Sequence, residues 1–343
     1  MQYQPLSTTA QNAYAQLLDA ATAESLTRSA GLLKGNFQKR AVSGRDYWYF
    51  HFRQGSRYVQ HYVGPDEPRV RALVESKRAA PKISSVAALA SGYAGYGGTT
   101  LPSKHLRLLI KANEYGFFRA GGILVGTHCF AGYANLLGVQ WISGDKTMDI
   151  DLAVPGKNLS IAVPDAPKTN LHDALSTFES GFLPIPTAKG RAGATYVLKG
   201  EADFQVDFLT TFGRGRDEPI EVPQLAVTAQ PLKFLDYLLE HPTQLVVLDP
   251  SGRYCLVTVP SPARYAIHKL IVHGERPQRA RVKALKDLLQ AATLIDYFQT
   301  ENPAELKQAW TDALGRGPNW RTRLKKGVAE LKKRHSCNPD FVQ

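Results

Sequence analysis

The segment Thr147-Met148-Asp149-Ile150-Asp151-Leu152-Ala153-Val154 constrains this 343-residue chain more than any other. Apolar residues alternate with two carboxylates. Period two then puts Asp149 and Asp151 on one face of a strand and Ile150 and Leu152 on the other. Two aspartates on one strand face repel each other, and such a pair persists where a divalent cation or a positive partner offsets the repulsion. A second acidic strand is expected at Phe204-Gln205-Val206-Asp207-Phe208-Leu209-Thr210. Val206 and Phe208 flank Asp207, so it too points away from an apolar face. If the two strands lie side by side, three carboxylates converge on one point. That is a site for two Mg²⁺ ions, or Mn²⁺, and for phosphoryl or nucleotidyl chemistry.

Ahead of the first acidic strand, Ala120-Gly121-Gly122-Ile123-Leu124-Val125 leads as a strand into Gly126-Thr127. A helix is expected from His128 to Leu137, stopped by Gly138. Backbone N–H groups at such a helix start bind anions. His128 and Cys129 read as packing residues of that helix.

Taken together, Gly-Gly, Gly126-Thr127, an Asp-Ile-Asp strand and a lone Asp on a later strand resemble the DNA polymerase β-type nucleotidyltransferase superfamily. Downstream, Pro262-Ala263-Arg264-Tyr265-Ala266-Ile267-His268-Lys269-Leu270 and Lys283-Ala284-Leu285-Lys286-Asp287-Leu288 resemble the late motifs of its abortive-infection (AbiE-like) toxin branch. The resemblance covers roughly residues 100–300. The gap from Gly126-Thr127 to Asp149 is long for compact members and closer to the toxin-type ones. The resemblance implies an α+β fold: a mixed-sheet nucleotidyltransferase core with a helical C-terminal region and a small N-terminal helix/β-hairpin module. It divides the chain into an accessory module over 1–100, the core over 101–260 and a basic helical region over 261–343.

The resemblance also implies roles. Asp149, Asp151 and Asp207 hold the metal ions. Gly126 and Thr127 cradle the triphosphate of an NTP substrate, and Lys269 pairs with it. Lys286 and Arg276 are further nucleotide-binding candidates, and Asp287 assists catalysis. From the residues alone, Lys269 is an exposed lysine on a stripe with Tyr265 and His273, opposite Ile267, Leu270 and Ile271. An i, i+4 helix pair with Lys283 likewise accounts for Asp287.

Charge bears on the partner. The net charge is +12, and it is concentrated at the ends. Residues 1–82 carry 12 Lys+Arg against 6 Asp+Glu, and residues 261–343 carry 16 against 8. The middle is slightly acidic. Basic flanks favour a polyanion, which points to an RNA acceptor such as a tRNA 3′ end, and the toxin branch adds an antitoxin protein as a partner. Two other readings use the same aspartates: a metal-dependent nuclease or phosphohydrolase, and a nucleic-acid-binding module on a degenerate transferase fold. No run of eighteen apolar residues exists, so no membrane partner is expected. Cys129, Cys255 and Cys337 lie far apart without metal-ligand spacing and read as reduced thiols of a cytoplasmic protein.

Along the rest of the chain, residues 9–29 read as a helix and 34–40 as a basic polar connection. Residues 46–52 and 57–63 read as two aromatic strands of a hairpin turning at 53–56, followed by a helix from Pro68. The rings either stack bases, with Arg53 and Arg57 on phosphates, or fill a small core. Residues 92–100 read as a Gly/Tyr loop, a linker or a lid. A basic helix with Trp320 closes the chain.

Overall fold

The computed structural model describes residues 2–32, 36–54, 57–78, 85–142, 147–156, 170–187, 189–212, 218–276 and 280–335. Gly55 and Ser56 of the expected turn, residues 158–163 and Cys337 lie outside the described residues, as do the side chains of Arg53 and Arg57. Strand β1 (Tyr3–Pro5) and helix α1 (Thr8–Leu32) precede strands β2 (Asn36–Val42), β3 (Arg45–Gln54) and β4 (Arg57–Pro65), then helices α2 (Pro68–Arg78) and α3 (Ser85–Gly95). Next come α4 (Ser103–Glu114), β5 (Ile123–Val125), α5 (Gly126–Leu136), β6 (Val139–Trp141) and β7 (Asp149–Val154). After α6 (Leu171–Ser176) the chain forms β8 (Phe182–Pro186), β9 (Ala192–Leu198), β10 (Glu201–Thr211), β11 (Ile220–Val222) and β12 (Val227–Leu232). A short α7 (Leu235–Leu239) leads to the hairpin β13 (Thr243–Leu248) and β14 (Tyr254–Val259). Four helices finish the chain: α8 (Pro262–Glu275), α9 (Arg281–Glu301), α10 (Pro303–Gly315) and α11 (Pro318–Arg334).

The central sheet runs β11-β12-β10-β7-β5, with β9 on β10 and β8 on β9. It is mixed: β7 and β12 run parallel to β10, whereas β5 is antiparallel to β7 and β9 to β10. Ile150, Leu152, Val206 and Phe208 turn into the main core, which α4, α5, α8, α9 and α10 cover. Their neighbours Asp149, Asp151 and Asp207 take the other face, as period two requires. The expected mixed α and β composition with a helical C-terminus is what the chain adopts.

A second apolar cluster joins α1 and α3 to the β13–β14 hairpin. Strand β13 is buried on both faces: Leu245 and Val247 enter the main core, and Val246 and Leu248 enter the second cluster. The Tyr14 hydroxyl bonds both backbone groups of Val246, accepting from its N–H at 3.0 Å and donating to its carbonyl at 3.1 Å.

Three elements differ from the sequence expectation. The basic stretch expected as a connection supplies β2 from Asn36 onward, so the hairpin is the middle and edge of a three-stranded sheet. Residues 92–95 belong to α3, and Tyr93 is fully buried with its hydroxyl 2.8 Å from Asn135 Oδ1, which anchors the start of the Gly/Tyr segment. Helix α10 was not anticipated, although Asn302 before Pro303 and Glu305 is a start signal: its side chain accepts from the Glu305 N–H. Among the described residues no helix is long and apolar enough to cross a membrane.

Tyr14→Phe removes a hydroxyl that satisfies two buried backbone groups. It is expected to lower stability by roughly 1–3 kcal/mol, read as a reduced midpoint in urea unfolding with an unchanged slope.

Candidate active site

The register of two parallel strands builds the centre of the site. Asp207 of β10 stands directly beside Asp151 of β7, and Gln205 stands beside Asp149. On the other edge of β7, Val125 pairs with Asp151, so the chain enters α5 at Gly126 immediately over that carboxylate. Gly126 has φ +69°, and a Cβ there would lie 2.0 Å from Asp151 Oδ2. Glycine is therefore required on two counts, backbone conformation and space. The first turn of α5 holds Gly126, Thr127 and His128, and no side chain caps it. Its N–H groups are the orphan donors of a helix start.

Burial, together with Asp207 and Asp149, pushes the Asp151 carboxyl up to about 6, against the pull of Lys269 and Lys283. Burial also raises Asp207, which the Thr195 hydroxyl opposes by donating to Oδ1. These directions describe acids crowded by each other and by low-dielectric surroundings. Among the described residues no group of three His, Cys, Asp or Glu side chains is arranged to hold a metal ion by itself. The donors nevertheless fit a hard divalent cation in kind. Mg²⁺ is commonly held by one or two carboxylates completed by substrate phosphates and water, not by an all-protein cage.

The basic side of the site departs from the sequence expectation. Lys269 is not on a wet face: its side chain is 14% exposed and bonds Asp287 Oδ1 at 2.7 Å. Tyr265, on the same stripe, is fully buried. Asp287 is buried too, and its other oxygen accepts from Arg276. Burial alone would raise the Asp287 carboxyl, but Lys269 and Arg276 outweigh it and hold it low. The partner expected within the same helix, Lys283, is instead exposed and acts on Asp151 and Asp207. Helix α9 is therefore turned so that Asp287 meets α8, and Leu285 is 37% exposed. Lys286 is half-buried and acts on His128.

The structure thus brings together Gly126, Thr127, Asp149, Asp151, Asp207 and the Lys269 ammonium, which lies near enough to lower Asp151. Asp287 and Arg276 stand behind Lys269. Several contributors were not foreseen. Thr195 sits opposite Asp207 in the β9–β10 pair, a placement visible only once that register is known. The Tyr265 hydroxyl lies 2.9 Å from both the Gly126 carbonyl and Gln290 Oε1, which ties the α5 entrance to α8 and α9. Behind Asp149, buried His105 and His128 share a 2.7 Å Nδ1–Nε2 hydrogen bond. Burial lowers both rings, His128 to about 3, and one ring nitrogen donates to the other. On the far edge of β10, where β9 leaves and β12 begins, a groove of about 330 Å³ opens beside Asp207. Ile185, Pro186, Thr187, Thr195, Pro219 and Gln230 are among its walls.

Asp151 gives a stability prediction with a definite sign. Its folded-state value near 6 lies above the ordinary 3.8, so the folded chain binds more protons than the unfolded chain between those values. Stability is then lost as pH rises through that window. Without divalent ions, Asp151→Asn is expected to match the parent below pH about 4 and to exceed it at pH about 8 by on the order of 1–3 kcal/mol. Urea unfolding in chelator across that range measures it, and an Asn variant less stable at the upper end would contradict it. A nucleotidyltransferase family model matches residues 103–315, from the start of α4 to the end of α10. No curated protein and no solved structure matches the chain. The matched stretch holds every acidic and basic side chain of the site, and the chain belongs to the nucleotidyltransferase family.

Proposed function

We propose that this transferase moves a nucleoside monophosphate from an NTP to an RNA hydroxyl, a tRNA 3′ end being the first acceptor to try, and that it depends on Mg²⁺. One observation carries the reading: the parallel register that sets Asp207 against Asp151 at the point where Gly126 opens α5. Asp149, Asp151 and Asp207 would hold the divalent ions, with Mn²⁺ suiting the same oxygen donors. When bound, such ions clamp the attacking and leaving oxygens of a displacement at phosphorus and offset the developing charge.

The protein's own groups divide the remaining work. Triphosphate would lie at the start of α5, where no side chain caps the first-turn N–H groups and the helix dipole favours an anion. Lys269, Lys283 and Lys286 supply positive charge around it. Asp287 does not touch the substrate in this reading. It is a positioning residue that holds Lys269 and Arg276 between α8 and α9. That pairing joins the two late motifs of the AbiE-like branch through Lys269 and Asp287, which supports placing the chain there. Thr195 fixes Asp207 Oδ1, leaving Oδ2 to draw the proton from the acceptor hydroxyl. The groove beyond β10 is the acceptor's approach, because it reaches Asp207 from the side away from α5. The same three aspartates would serve a hydrolase, but family membership and the helix-start cradle favour transfer.

Incubation with each α-labelled NTP, Mg²⁺ and total RNA is expected to label RNA and release pyrophosphate. Absence of labelled RNA with every NTP refutes the RNA acceptor. Asp151→Asn and Asp207→Asn are each expected to lower the rate by about 10³-fold or more, roughly 4 kcal/mol of transition-state stabilisation. Asp287→Asn, which frees Lys269, is expected to raise KM for NTP more than it lowers kcat.

A further inference from the structure

The N-terminal sheet has one face lined by half-buried and exposed side chains. Alternation along β3 sends Trp48 and Phe50 to one side and Tyr47, Tyr49 and His51 to the other. The Trp48 side is closed: its indole donates to Asp66 at 2.8 Å and α2 packs there through Val74, which is 2% exposed. On the Tyr47 side, register places Gln38 and Arg40 of β2 and Gln60 and Tyr62 of β4. Three rings gather there, with Tyr62 centred 6.0 Å from Tyr47 and 5.7 Å from Tyr49. The Arg40 guanidinium lies 5.9 Å from the Tyr49 ring centre. Tyr62 is 59% exposed, and Arg40, Arg45, Gln38 and Gln60 are exposed as well.

Charge on this sheet is segregated. Asp46 belongs to the covered side, where it pairs with Lys39 at 2.9 Å. Among the described residues of β2, β3 and β4, no carboxylate lies on the tyrosine side. Had the rings served only as core, they would face α2. Three half-exposed to exposed tyrosines beside two arginines, free of acids, are costly to leave in water and well suited to unpaired bases and phosphates.

We propose that this face binds single-stranded RNA: unstacked bases lie on Tyr47, Tyr49 and Tyr62, and Arg40 and Arg45 take the phosphates. Gln38 and Gln60 flank the rings and offer amides to ribose 2′-hydroxyls, the groups DNA lacks. The choice of RNA over other strands leans on the acceptor reading above, but the binding surface stands on its own geometry.

The test uses the full chain in chelator without NTP, so that it reports binding and not transfer. Anisotropy of a fluorescein-labelled mixed-sequence RNA of about 12 nucleotides, a length within the span of single-strand binding surfaces, gives Kd as a function of salt. Tyr49→Leu/Tyr62→Ser is expected to weaken binding at least about tenfold. Arg40→Gln is expected to weaken it several-fold and to shallow the salt slope by about 0.7. Tyr62→Ser alone changes only an exposed ring and keeps the test valid if the double variant unfolds; a several-fold loss is expected. Unchanged Kd in Tyr62→Ser, or competition by heparin or polyglutamate equal to that by RNA, overturns the proposal. Equal affinity for the matching DNA overturns the assignment to RNA. RNA binding without transfer would instead remove the acceptor reading and leave this face intact.

Discussion

The site depends on two carboxylates being held side by side by a sheet that cannot let them part. Asp151 and Asp207 belong to parallel neighbours in register, and moving either means slipping a strand. A one-residue slip would send Ile150, Leu152, Val206 and Phe208 to the outer face and break the main core. Hydrophobic burial thus enforces an electrostatic arrangement that charge alone would reject. Burial, and then the neighbouring acids, raise both carboxyls. Such local destabilisation at a functional centre, supported by the surrounding fold, is the usual physical signature of a site prepared for a cation or a reacting group.

Helices α8 and α9 perform the complementary task. Polar links cross between them or to α5: Lys269 to Asp287, Arg276 to Asp287, His273 Nδ1 to the Ala284 carbonyl, and Tyr265 between Gly126 and Gln290. A buried carboxylate with two cations carries a net positive balance toward the acid pair. Removing Asp287 would leave two partly desolvated cations, which is why such clusters are more expensive to break than to build. The Tyr265 bond to the Gly126 carbonyl makes the entrance of α5 respond to the packing of α8. The entrance of α5 and Lys269 are therefore linked through the same pair of helices.

Much of this geometry was legible in the sequence, and the parts that were not share a cause. The acidic strands stood out because alternation with Ile, Leu, Val and Phe is a local signal. Ser261-Pro262 is a local helix-start signal, and the Ser261 side chain accepts from the Arg264 N–H at the start of α8. Lys269 and Asp287 were misplaced because a helix wheel assigns charged residues to solvent. Here two helices bury their polar stripes against each other, and only the tertiary pairing shows it. Strand β2 was missed because Asn36-Phe37-Gln38-Lys39-Arg40 lacks apolar alternation, the consequence of having one face open and Lys39 satisfied by ion pairs. At Gly98 of the Gly/Tyr segment, glycine is there for close packing: a Cβ would fall 2.3 Å from the Tyr93 ring. Composition suggested looseness where the chain is tightly held.

Strand β10 gives the site its direction. One of its edges carries β7, β5 and the start of α5; the other carries the notch between β9 and β12. Asp207 lies on the strand common to both, with Asp151 on its inner side and Thr195 on its outer side. Two reactants that must meet in line at phosphorus need separate approaches to one carboxylate group, and a mixed sheet with a split edge provides them. The parallel β7–β10 pair sets the acids level with each other. The antiparallel β9, ending where β12 begins, leaves the opening. An all-parallel or fully paired strand at this position would have closed the outer side, so the split edge is compatible with the two-substrate reaction proposed above.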